Sequence, residues 1–157
     1  MNNKQIDTGV ESGAAEPMPA ALTVGKELPE QVFTVTRADL VCYAGACGDF
    51  NPIHYSDRIA QAAGLPGVAA HGMYTMALAA RAVIIWAGDY AVVVEFGVRF
   101  TKPVVVPDDE TGVEVVVSGT VKSMSDETAQ LSLTVVSNGQ KVLGQARATV
   151  RRMQPNA

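Results

Sequence analysis

The chain carries only two histidines, and both fall in loop segments that flank one short helical stretch. The first ends the run Gly48-Asp49-Phe50-Asn51-Pro52-Ile53-His54. A carboxylate and an imidazole on a proline-bent loop can turn back on one another and share a water or a substrate hydroxyl, as general acid–base catalysis requires. Asn51 stands between them and can orient either. The same spacing also permits a plainer reading, in which Asp49 forms an Asx-turn and His54 is structural. The second histidine begins His71-Gly72, where a long helix is expected to start. A helix N-terminus presents unpaired N–H groups and partial positive charge, and a glycine lets a ligand carbonyl approach the backbone closely. A Gly72 N–H aimed at a thioester oxygen would stabilise the enolate formed when a proton leaves the α-carbon. The competing reading makes Gly72 a packing residue and His71 a structural one.

Other chemistries find less support. Cys42, Cys47, His54 and His71 give no standard zinc spacing, so no metal is expected, and the cysteines read as helix-packing residues. No nucleophile elbow, phosphate loop or dinucleotide fingerprint is present, and no cofactor is expected. Met73 and Met76 read as core. Arg58, Arg81, Arg99, Lys102, Arg151 and Arg152 either include a phosphate patch for coenzyme A or phosphopantetheine or are ordinary solvated charges.

The elements that must position these loops are marked by local punctuation. Gln31 to Val35 alternates as a strand. Thr36 and Asp39 then form a capping-box-like start to a helix through Cys47, which Gly48 stops. Pro52 disfavours a helical Asn51 and keeps Gly48 to Tyr55 irregular. Ser56 caps a short helix that Gly64 ends, and Leu65, Pro66 and Gly67 make a second loop. The helix from Gly72 to about Ala87 has Met73, Met76, Ala77, Ala80 and Ile84 on one face and Tyr74, Leu78 and Ile85 on another. It is apolar almost all round and must be wrapped by other structure. Strands are expected at Val92–Phe100, Val113–Met124, Ala129–Ser137 and Lys141–Arg152, with Asn138-Gly139 as a hairpin turn between the last two.

Composition divides the same way. Ala38 to Ala91 holds 14 Ala and 3 Val, whereas Val92 to Val150 holds 3 Ala and 16 Val. Helices followed by strands indicate an α+β domain, a long antiparallel sheet curled around one buried helix, which is the hot-dog architecture. At 157 residues the chain has length for one domain with a sizeable core. This domain is placed at residues 22–152, with tails at 1–21 and 153–157 and the first expected to be disordered. The net charge of −4 argues against a general affinity for nucleic acid or anionic membrane. No secretory signal or membrane span is read, giving a soluble, cytoplasmic expectation. A charged fraction of 18% is low for a surface that solvates only a monomer, and points to burial in an oligomer.

The segment Tyr43-Ala44-Gly45-Ala46-Cys47-Gly48-Asp49-Phe50-Asn51-Pro52-Ile53-His54, followed by Ala60 and by Ala70-His71-Gly72-Met73, resembles the hydratase motif of MaoC-like dehydratases and (R)-specific enoyl-CoA hydratases. The resemblance runs from about Leu22 to Val150. Through Val24-Gly25-Lys26-Glu27-Leu28-Pro29 and Val98-Arg99-Phe100-Thr101 it is strongest toward the catalytic subunits of actinobacterial (3R)-hydroxyacyl-ACP dehydratases. It implies Asp49 and His54 as the catalytic pair, Asn51 as supporting amide, Gly72 as oxyanion-hole donor and His71 with Gly72 against the substrate. It further implies an acyl-CoA or acyl-ACP thioester as substrate, and pairing with a second hot-dog subunit as homodimer or heterodimer. Some family members have a serine where this chain has Ala80, so a hydroxyl contact there is absent. A thioesterase on the same fold, or an acyl-binding subunit of a heterodimeric dehydratase, are the alternatives.

Overall fold

The computed structural model describes residues 22–88 and 91–152, so both tails lie outside the described residues. Strand β1 (Glu27–Val35) leads into helix α1 (Arg37–Cys47). A single 3-10 turn (Pro52–His54), the short α2 (Asp57–Ala62) and the long α3 (Gly72–Ala87) follow. Four strands complete the chain: β2 (Ala91–Phe100), β3 (Val113–Met124), β4 (Thr128–Ser137) and β5 (Gln140–Arg152). All pair antiparallel in one five-stranded sheet of order β1-β3-β4-β5-β2.

The caps form as the sequence dictates. Thr36 and Asp39 make a full capping box, Gly48 ends α1 in the left-handed region at φ 76°, and the Ser56 hydroxyl accepts the Ile59 N–H. Asn138 and Gly139 take φ of 48° and 69°, the paired positive values that a two-residue hairpin needs. Alternation sets the sheet's buried face: Val113, Val115, Val117 and Val121 of β3 and Leu131, Leu133 and Val135 of β4 enter the core, and Gly119 takes the turn in that series where α3 comes closest. A side-chain carbon at Gly119 would sit 2.8 Å from the Trp86 ring, so glycine is what admits the indole. Trp86 in turn donates its ring N–H to the Pro29 carbonyl at 2.8 Å, tying α3 to the edge strand.

Three expectations are corrected. Strand β1 begins at Glu27, four residues before the expected Gln31, because an edge strand tolerates Pro29 and its charged neighbours. Helix α3 buries Thr75, Leu78, Ala79, Ala82, Val83, Trp86 and Ala87, whereas Met73, read as core, is 56% exposed, and Ile84 on the same face is 59% exposed. The sheet thus wraps one side of the helix and leaves the other open. Cys42 and Cys47 are both exposed and do not pack the helix core. The short helix ends as expected at Gly64: past the last helical residue Ala62, Gly64 takes φ 82° and donates its N–H to Gln61 while Leu65 donates to Ala60, the left-handed glycine cap of a helix C-terminus.

Candidate active site

The loop after α1 returns Asp49 to His54 through two nested turns. Asp49 Oδ1 accepts the Asn51 N–H at 3.1 Å, and Asn51 Oδ1 accepts the Ile53 N–H at 3.2 Å to start the 3-10 turn. The turn contact uses only one carboxylate oxygen of Asp49, and the second faces His54. Asn51 is exposed and spends its acceptor on the backbone, so it shapes the loop and bonds to neither the Asp49 nor the His54 side chain.

His54 is held from the other side. Its Nδ1 lies 2.7 Å from the Ala69 carbonyl oxygen, which only accepts, so Nδ1 carries the hydrogen and Nε2 presents its lone pair. The Ala69 carbonyl is fixed in turn. Ala69 donates its N–H to Ile53 and bridges Val105, while Ala70 N–H bonds Val104 and Val106 N–H bonds Val68. Asp57 adds a clamp, accepting the Val68 N–H at 3.1 Å and the Arg37 guanidinium at 3.0 Å. Those two partners hold its carboxyl below the usual carboxylate range.

His54 Nε2 and Asp49 Oδ2 stand 3.9 Å apart. That is too long for a direct hydrogen bond, yet one oxygen at hydrogen-bonding distance from both would fit between them with an angle of about 90°. The His54 side chain is 11% exposed and the Asp49 side chain 54%, so the pair spans the boundary between protein and solvent. Beside it lies a cavity of about 340 Å³ whose lining includes His54, Gly72, Thr75, Phe100, Lys102 and Leu143. A larger groove of about 490 Å³, lined by Pro107, Glu114, Ser137 and Asn138 among others, includes none of these residues and has no acid–base pair.

Gly72, the first residue of α3, lines the cavity beside His54, and His71 supplies no side-chain cap to the first-turn N–H groups of the helix. His71 is 2% exposed and does not line that cavity. Its Nε2 lies 3.0 Å from the Asp49 carbonyl oxygen, and its ring stacks on His54 at 3.7 Å between centroids. Tyr43 packs against it at 5.0 Å. Burial, helped by the nearby Cys47 and Asp49, pushes the Tyr43 hydroxyl above its ordinary range. Asp49, His54 and His71 offer ligand atoms within 4.8 Å of one another. Each ring has one nitrogen taken by a carbonyl, which leaves one nitrogen of each ring and the Asp49 carboxylate as the remaining donors of this cluster. The cysteines take no part in this cluster. Sequence reasoning missed the cavity wall of Phe100, Lys102 and Thr75, for which Lys102 among the scattered bases was the one available signal.

The profile of the family described as "MaoC like domain" matches residues 20–140. The chain is 39% identical over 79 residues to the 3-hydroxyacyl-thioester dehydratase X of Mycobacterium tuberculosis, an alignment taking in 50% of this chain and 27% of that protein. Among solved structures it is similar to a MaoC-like dehydratase, with TM-score 0.77 and 38% identity over 83% of this chain and 40% of the other. It is also similar to the unliganded R-hydratase PhaJ1 from Pseudomonas aeruginosa, with TM-score 0.71 and 25% identity over 85% and 84%. The fold is the hot-dog, and the chain spans less than half the length of the first two of these relatives.

Proposed function

The chain belongs to the MaoC-like domain family, and from that premise we propose that it hydrates trans-2-enoyl thioesters with R specificity and, in reverse, dehydrates (3R)-hydroxyacyl thioesters. The substrates are acyl-CoA or acyl-ACP thioesters of fatty-acid metabolism. The observation that carries this reading is the 3.9 Å separation of His54 Nε2 and Asp49 Oδ2 beside a cavity that also includes Gly72. Water held in that gap loses a proton to His54 as its oxygen bonds to C3. Charge then moves from C2 onto the thioester oxygen, where the Gly72 N–H at the start of α3 stabilises the enolate. A proton delivered through Asp49 to C2 completes the addition. One H₂O is consumed, and proton exchange across the gap restores both groups. Asn51 contributes by holding the loop that carries Asp49. The open face of α3 supports a second hot-dog subunit, identical or different, as partner.

The test is hydration of trans-2-enoyl-CoA substrates of graded length, repeated with carrier-protein thioesters and with the C3 configuration of the product determined. Asp49→Asn and His54→Ala should each lower turnover by ~10² or more without loss of the fold. Wild-type rates in both variants, or an S product, would overturn the proposal. Release of free thiol with unchanged enoyl absorbance would indicate a thioesterase instead, and activity only with a second hot-dog chain added would indicate a heterodimer.

A further inference from the structure

The acid–base scheme makes no use of His71, although its ring touches both members of the pair. Its Nε2 bonds the backbone carbonyl of Asp49 at 3.0 Å, and its ring stacks on His54 with an interplanar angle of 22°. A carbonyl oxygen only accepts, so the hydrogen of His71 sits on Nε2. Nδ1 is then a bare acceptor, buried and without a hydrogen-bond partner. Burying such a nitrogen is unfavourable, and a phenyl ring would fill the same space without it. What phenyl lacks is the N–H that reaches Asp49. We propose that His71 is a positioning residue: its N–H anchors the backbone of Asp49 while its ring supports His54, and together these set the gap across which the pair works. The inference rests on the reading of Asp49 and His54 as the acid–base pair, and it replaces the expectation that His71 touches substrate.

The two imidazoles then carry their hydrogens on opposite nitrogens, Nε2 for His71 and Nδ1 for His54. These are the only two histidines of the chain, so ¹H–¹⁵N spectra of histidine-labelled protein report both tautomers without interference. One ring of each type is expected. Two rings of the same type would overturn the proposal. In steady-state assays His71→Phe keeps a ring and loses the N–H, while His71→Gln restores an N–H donor without the ring. For His71→Phe, kcat should fall roughly 10- to 100-fold with KM within about threefold, the size expected when reacting groups are misplaced by a fraction of an ångström to one ångström. His71→Gln should recover part of that loss, and it remains informative if the Phe variant does not fold. In an Asp49→Asn background the His71 substitutions should cost little more, because they act through a group already disabled. A raised KM with unchanged kcat, no advantage of Gln over Phe, or full additivity with Asp49→Asn would each refute positioning. Wild-type activity in Asp49→Asn itself would refute the acid–base reading, and the tautomer spectrum separates that failure from this one.

Discussion

At Gly72 the backbone does the work a side chain would obstruct. A carbon added there would lie 3.1 Å from two ring atoms of Phe100, tighter than ordinary contact, on a residue that lines the same cavity as His54. Gly72→Ala should therefore push Phe100 aside or shift the first turn of α3, and turnover should drop by up to about 10², the cost of an ångström-scale misplacement. Because Phe100 is half-exposed and can yield, the melting temperature should hardly change. Pairing the substitution with Phe100→Ala should restore much of the rate; no recovery would mean that the loss has another origin. Residue type and loop chemistry marked Asp49, His54 and Gly72 as candidates in the sequence but left a plain structural reading open for each, and only the resemblance to the hydratase motif favoured the chemical one. The role of Asn51 was not legible. Whether an amide faces a neighbouring side chain or its own backbone depends on turn dihedrals that residue identities alone leave open.

Two element-level contacts fix where those residues sit. Asp57 binds the Val68 N–H and Arg37, joining α1, α2 and the segment that presents the Ala69 carbonyl to His54. Its carboxyl is held below the ordinary value of 3.8, so the stability it contributes is present above that pH and is lost as pH falls through the lowered folded-state value. Asp57→Asn should lower the melting temperature at neutral pH, and the difference from wild type should shrink steadily below about pH 4. A constant difference from pH 7 to pH 2 would show that the carboxylate is not the stabilising species. Asp109 shifts in the same direction, through the Gly112 N–H and Thr111, so Asp109→Asn serves as the control away from the site. The second contact is Gly119 against Trp86. Gly119→Ala should destabilise the fold by about 1–3 kcal/mol as an overpacking defect, read by denaturant titration. An unchanged midpoint would mean that α3 can slide on the sheet. The strands and caps of these elements were readable from alternation, capping boxes and the Asn-Gly turn. The buried face of α3 was not, because a helix apolar all round has no periodic signal to say which side the sheet covers, and the deciding contact comes from a glycine on a strand distant in sequence.

For the whole molecule, that same helix leaves an apolar face without cover. Met73, Ile84 and Ile85 of α3 are exposed, as are Val92, Val94 and Phe100 of β2. Strand β2 ends the sheet and pairs only with β5, so its free edge and its apolar side chains both call for a partner. The low charge that composition recorded told how much apolar surface to expect but not where, and α3 and β2 carry six of the exposed large apolar side chains. Removing each large side chain from water is worth about 1.5–3 kcal/mol, so several together can sustain a stable subunit contact. Ile84→Glu changes a residue that the chain's own core does not use. It should leave the melting temperature of the isolated subunit unchanged while converting an assembly to monomers in sedimentation equilibrium, with activity falling in parallel as the Gly72 end of α3 loses its support. If the wild-type chain sediments as a monomer, the same substitution should weaken capture of a second hot-dog subunit in a titration followed by recovered hydration. A wild-type monomer that is fully active alone, with Ile84→Glu equally active, would show that this face needs no cover.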